Sequence, residues 1–180
     1  MTITDMRPSK VEATGFKQKL RSLEPISSDG FDTVDTTIRF TSGAVCHVVT
    51  GWTLPNTANT LTVQRGRLLY TDGMLDLWNE SYGYHELSPG GIEDRNVLFI
   101  NRNPDGTYSG YGIDNPGRIL TEIVAFRENE QSSMQFDPVS SGVLATLICE
   151  CATESLARGG DVADGVVAGE VIDVRDYLVE

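Results

Sequence analysis

A chain of 180 residues, 39% of them hydrophobic, has the length and composition of one soluble globular domain, taken here as residues 1–180. Its net charge of −12, from 26 acidic and 14 basic residues without a basic run, argues against binding to nucleic acid or an anionic membrane surface. The longest apolar runs, such as residues 97–100 (VLFI), are far too short to cross a bilayer, and the first ten residues hold Asp5 and no apolar signal segment. The expected localisation is cytoplasmic.

In chain order, residues 9–16 (SKVEATGF) read as a first strand with Val11 and Ala13 on one side, followed by a polar connector over 17–30. In residues 31–40 (FDTVDTTIRF), Val34, Thr36, Ile38 and Phe40 alternate with Asp35, Thr37 and Arg39, the period-two pattern of a half-buried strand. The turn Thr41-Ser42-Gly43 leads into a second β-rich run over 44–52, which Leu54-Pro55 closes, so the pair predicts a long hairpin. Residues 59–66 (NTLTVQRG) alternate again, 67–71 continue the sheet, Asp72-Gly73 reads as a hairpin turn, and 74–78 (MLDLW) as another strand. Residues 81–112 read as irregular excursions around one or two strands, with an apolar strand at 97–100 and a turn at Asn103-Pro104-Asp105-Gly106.

The texture then becomes helical. Asn115-Pro116 caps a helix in which Ile119, Leu120, Ile123 and Phe126 recur at helical spacing. A second begins at Asp137-Pro138, traces a face through Val139, Val143, Leu144, Leu147, Ile148, Cys151 and Leu156, and stops at Gly159-Gly160. Residues 170–174 (EVIDV) predict a short strand in a tail over 161–180. A sheet-forming part over about 9–112 and a helical part over about 115–160 indicate an α+β fold: an open, mostly antiparallel sheet with helices packed on one face.

Chemistry is sparse. Gly110-Tyr111-Gly112 with Gly117 has the wrong spacing for a dinucleotide loop, and no P-loop, GxSxG elbow or HExxH pair is present. Cys46, Cys149 and Cys151 make an odd count without a disulfide framework. Cys149 and Cys151 would point about 200° apart on a helix and so cannot chelate together; both read as small buried residues. His47 and His85, with no metal-ligand spacing around them, do not suggest zinc, and no metal is expected. His47, between Val45 and Val49, reads as a packed or interface residue. His85, beside Glu86 and placed on a loop with Tyr84, is the better acid/base candidate, since a neighbouring carboxylate raises a histidine's pKa. Asp35, Thr37 and Arg39 line a polar face that suits either a subunit interface or sugar hydroxyls. Trp52 and Trp78 read as core or interface anchors, although their rings also suit stacking on a sugar.

In order along the chain, SKVEATG, FDTVDTTIRFTSGAVCHVVTGWTLP and TLTVQRGRLLYTDG resemble the C-terminal domain of the glucose–fructose oxidoreductase / inositol dehydrogenase (Gfo/Idh/MocA) family. Val11 and Ala13 match its "V-x-A" strand. Asp32 or Asp35, with Phe40, Gly43 and Ala44, match its hairpin, and Trp52 with Pro55 its "W-x-x-P" closure. Gly66, Leu68 or Leu69, and Asp72 match its "G-x-x-G-x-L-x-x-D" pair without the first glycine. LTEIVAFREN resembles its "E-x-x-x-F" helix, and Ala152, Ser155 and Gly159 its closing "A-x-x-S-x-x-x-G" helix.

The resemblance implies a sheet with helices on one face, a subunit interface on the other, and part of a sugar or polyol site. Members also carry an N-terminal Rossmann domain, a catalytic lysine in a Glu-Lys-Pro motif, and an Asp-x-x-x-His motif before the "V-x-A" strand. This sequence holds none of these, so no catalytic residue carries over. The chain is therefore expected to bind no cofactor alone, and to use NAD(P) only with a Rossmann domain supplied by a partner chain or a missing segment. Trp52, Tyr84 and His85 are the substrate-pocket candidates, and Asp35, Thr37, Arg39, Val45, His47 and Val49 the homo-oligomer interface candidates. The alternative is a non-catalytic scaffold or small-ligand-binding domain that dimerises through its open sheet.

Overall fold

The computed structural model describes residues 7–25, 29–58, 62–78, 83–95, 101–109, 115–127, 138–163 and 165–177. In chain order the elements are β1 (Pro8–Phe16), β2 (Thr33–Phe40), β3 (Val45–Gly51), β4 (Arg65–Tyr70), β5 (Gly73–Trp78), β6 (Gly83–Ser88), β7 (Gly91–Arg95), β8 (Asn101–Arg102), β9 (Tyr108–Ser109), α1 (Asn115–Arg127), α2 (Pro138–Arg158), β10 (Gly160–Ala163), β11 (Val166–Ala168) and β12 (Ile172–Asp173), with short 3-10 turns at Leu20–Ser22 and Val174–Tyr177. Among the described residues every strand pairing is antiparallel, which is the α+β class expected. The chain divides into two compact units, Met1–Thr53 with Gln135–Glu180, and Leu54–Met134.

In the first unit β1 is central because one of its faces is wholly small or apolar. Val11, Ala13 and Gly15 are buried, and Lys10, Glu12 and Phe16 point the other way. The strand order is β10-β11-β1-β2-β3, with β12 also beside β1. The predicted hairpin forms as read. The Phe40 amide donates to Ala44 O at 2.9 Å, the Gly43 amide donates to Phe40 O at 3.0 Å, and Gly43 takes φ 85°, the left-handed geometry that a side chain disfavours. Asp32 decides how the connector returns to β2. Its buried carboxylate accepts the backbone amides of Gln18 and Lys19, both at 2.5 Å, and of Leu20 at 2.7 Å. Burial alone would raise the Asp32 pKa, but these three donors hold it below the usual carboxylate range.

α2 packs on β1 and β12, where Val11, Ile38, Cys151, Ile172 and Val174 form the buried core with Leu147, Ile148 and Ala152 around it. Each fully buried aliphatic side chain here contributes about 1.5–3 kcal/mol. Ser155 and Gly159 fix the docking. Ser155 is fully buried and its Oγ accepts the Ala13 amide at 3.0 Å. That amide faces the gap between β11, which pairs with β1 as far as Ala168, and β12, which pairs from Ile172. The Ser155 carbonyl accepts the Gly159 and Glu170 amides, both at 3.0 Å, and a Cβ at Gly159 would overlap the Ala168 carbonyl oxygen. The serine and glycine of the helix motif are thus a lock between helix and sheet.

Several expectations need correction. Cys149 is exposed, and only Cys151 of the pair is buried. The 200° between them on a helix requires that outcome once one faces the core. Burial pushes the Cys151 thiol up, with Glu150 adding to it. Val143, assigned to the apolar face of α2, is exposed. The tail contains more sheet than expected, because β10 and β11 pair with each other, whereas the predicted strand over 170–174 shrinks to β12 and turns into a 3-10 helix.

The second unit holds a four-stranded meander, β4-β5-β6-β7, the pair β8-β9 and α1. The alternation in 62–64 does not make a strand, which starts at Arg65, and the β4–β5 turn is Thr71-Asp72, since Tyr70 pairs with Gly73. Residues expected to be irregular form β6 and β7 in full register. Their signal was hidden because Tyr84-His85-Glu86 offers no aliphatic alternation. The Asn103–Gly106 turn is present, joining β8 to β9, and α1 is described over Asn115–Arg127. Residues 59–61, the strand expected at 97–100, Gly110–Gly112 and the Asp137 cap lie outside the described residues.

Candidate functional site

The six interface candidates are brought together by register. Arg39 pairs with Val45, Thr37 with His47 and Asp35 with Val49, so all six share the face of the β2–β3 hairpin opposite the core side chains. Thr37 Oγ1 and His47 Nδ1 lie 3.0 Å apart, while Val45 is 48% and Val49 67% exposed. On the other face, α2 and the β2–β3 hairpin border an open groove of about 850 Å³, with Val34, Ile38, Val48, Ile148 and Leu156 among its lining.

Trp52 stands just after β3 and is 86% exposed, so it is not a core anchor. It belongs to the first unit, whereas Tyr84 and His85 lie in β6 of the second. The two were expected on a loop. As neighbours on a strand they point to opposite faces of the sheet and join separate clusters.

The Tyr84 hydroxyl bonds Glu86 Oε2, and the Tyr70 hydroxyl donates to Glu86 Oε1 at 3.1 Å. Burial and the Glu86 carboxylate raise the pKa of Tyr70. His85 sits on the opposite face, where its Nδ1 is 2.5 Å from Asp94 Oδ1. Its carboxylate partner is therefore Asp94, directly across on β7, and not its sequence neighbour Glu86.

His85 is one member of a cross-strand row that the sequence reading missed: Arg67, Asp76, His85 and Asp94, each directly opposite the next on β4 to β7. Arg67 holds Asp76 with both prongs, Nε to Oδ1 at 2.6 Å and Nη2 to Oδ2 at 2.9 Å. The hydrogen bond from Arg67 keeps the Asp76 carboxyl below its usual range, and the charges of Arg67 and His85 act in the same direction. Beside this row, the Arg65 guanidinium lies over the Trp78 ring, 3.8 Å from its centroid. Trp78 is thus an anchor for a cation. The only hint of the row in the sequence is charge spaced nine residues apart at Arg67, Asp76, His85 and Asp94, which gains meaning once each hairpin's register is known.

Among the described residues, no group of three His, Cys, Asp or Glu is placed to hold a metal ion, and no helix is long and apolar enough to cross a membrane. No protein-family model matches the sequence, and no curated protein matches it. Solved structures do. An oxidoreductase from Pseudomonas syringae matches with a TM-score of 0.63 at 14% identity, over 94% of this chain and 46% of that one. An inositol dehydrogenase homologue from Azotobacter vinelandii, crystallised with NADH and myo-inositol, matches with a TM-score of 0.61 at 15% identity, over 94% of this chain and 45% of that one. An Agrobacterium radiobacter oxidoreductase in complex with NAD+, L-tartaric acid and magnesium matches with a TM-score of 0.60 at 14% identity, over 95% and 44%. The chain has the fold of one part of these oxidoreductases. It spans less than half of their length, and the likeness at such low identity is one of fold.

Proposed function

We propose that the chain is the substrate-binding and oligomerisation part of an NAD(P)-dependent oxidoreductase acting on sugar- or polyol-like substrates, and that it is not catalytic on its own. The observation that carries this reading is the match of nearly the whole chain to less than half of an inositol dehydrogenase homologue. The sequence offers no glycine-rich strand–turn–helix cradle for a pyrophosphate, so cofactor binding and hydride transfer fall to a Rossmann domain outside these residues. In this reading Tyr84 and His85 supply separate polar contacts on the two faces of the second unit's sheet, and Trp52 an exposed aromatic ring of the first unit. Tyr84, tied to Glu86, presents a hydrogen-bonding edge for hydroxyl groups, and His85, paired with Asp94, a polar contact on the opposite sheet face. Calorimetric titration with NADH and NADPH tests the division of labour: no saturable binding by the chain alone is expected, and tight binding overturns it.

A second reading, a scaffold that dimerises through its sheet, is favoured by the exposed Val45 and Val49 on the hairpin face. Light scattering after size exclusion checks the interface common to both. An oligomer that Val49→Lys dissociates is expected, and a strict monomer rules it out.

A further inference from the structure

We infer that the face of the β4–β5 hairpin carrying Arg65 and Arg67 is a recognition site for a small carboxylate. Arg65 and Arg67 are two apart on β4 and their contacts place both on one face, so their backbones stand about 7 Å apart. They border a cleft of about 410 Å³ whose other walls are Gly66, Asp76, Leu77 and Trp78. The two guanidinium groups are in different states. Arg67 is committed to Asp76 through a bidentate pair. Arg65 makes no ion pair with any described residue, and its partner is the Trp78 ring.

That difference is chemically directional. Stacking consumes the π face of a guanidinium and leaves its N–H donors radiating in the plane, the fork that matches a carboxylate. The ring also fixes the side chain before a ligand arrives, which lowers the ordering cost of binding. In a chain of net charge −12, Arg21, Arg67, Arg158 and Arg175 are each paired with a carboxylate, whereas Arg65 is held by an aromatic ring in a cleft. Asp76, on the cleft wall, opposes an incoming anion, and Arg67 neutralises it. The site takes a small carboxylate in preference to a neutral compound of similar shape. It uses only β4 and β5, and stands or falls independently of the oxidoreductase reading.

The experiment compares D-gluconate with D-glucitol, which share a hydroxylated chain and differ in the carboxylate. Each is titrated into 15N-labelled protein while the two indole N–H resonances are followed, with Trp52→Phe assigning them. Saturable gluconate shifts at Trp78, no response at the exposed Trp52, and no saturation with glucitol are expected. Arg65→Gln should weaken gluconate at least tenfold. Arg65→Lys, which keeps the charge and loses the planar fork, should weaken it about threefold or more. Asp76→Asn should tighten it about two- to fivefold by removing a like charge. Gluconate shifts that fail to saturate, that move both indoles alike, or that survive Arg65→Gln in a protein with an otherwise unchanged spectrum overturn the proposal. So does glucitol binding as tightly as gluconate.

Discussion

Ser155→Ala removes one oxygen from the most enclosed polar contact in the first unit, and its consequence can be worked from the structure. The hydroxyl is fully buried and is the partner of the Ala13 amide, which sits in the central strand between the last β11 pairing and the first β12 pairing. With alanine at 155 that amide remains buried without an acceptor. An unsatisfied buried donor costs about 1–3 kcal/mol, roughly twice what the exchanged hydrogen bond itself is worth. For a chain of this size, each kcal/mol lowers Tm by about 2–4 °C, so a midpoint cost of about 2 kcal/mol lowers it by roughly 4–8 °C. Urea denaturation followed by circular dichroism should show a lower midpoint with an unchanged slope, and hydrogen exchange should show lost protection at the Ala13 amide. The control is Thr153→Ala on the same helix, whose exposed hydroxyl bonds only to Cys149 O within that helix and whose loss should cost less than about 0.5 kcal/mol. Equal stability of the two variants, or full protection of Ala13 in Ser155→Ala, would refute the lock between α2 and β1.

Three further outcomes follow from the same unit. A Cβ at Gly15 would overlap the Phe31 ring, which also carries the Lys17 ammonium 4.6 Å from its centroid, so Gly15→Ala should cost about 1–3 kcal/mol, and Phe31→Leu in the same chain should recover part of it in a double-mutant cycle. Asp32 has a folded pKa below its unfolded value, so its contribution to stability is complete above about pH 4 and is lost as pH falls through the folded pKa. Asp32→Asn should therefore be less stable than wild type at pH 7 and show a flatter acid limb in Tm against pH; parallel limbs would count against the amide cradle. With iodoacetamide on the folded protein, mass spectrometry should find Cys149 modified and Cys151 protected until denaturant is added, because Cys149 is exposed and burial keeps the Cys151 thiol protonated.

The hairpin over β2 and β3, the first strand and both helices were legible because each rests on a local code. Val34, Thr36 and Ile38 alternate at period two, Thr41-Ser42-Gly43 meets the needs of a tight turn, and Asn115-Pro116 and Gly159-Gly160 punctuate helices. Strands β6, β7, β10 and β11 were not legible for the converse reason. All are short and owe their state to the partner across the ladder; β6, β7 and β10 carry tyrosine, histidine, charge or glycine in place of alternating aliphatics, and β11 is only three residues long.

What the sequence alone determined was the α+β class, the likeness to one part of an oxidoreductase, and which residues alternate around the hairpin. Adjacency in space was decided only by the tertiary structure. The role of Asp32 came from the three amides of the connector, which lie 12–14 residues away from it. The serine of the helix motif acquired its reason from an amide 142 residues earlier. His85 exchanged Glu86 for Asp94 because a strand sends consecutive side chains to opposite faces and register brings the ninth residue across. Local periodicity is written residue by residue, whereas register and docking are settled by which long-range pairings bury apolar surface and satisfy every amide together.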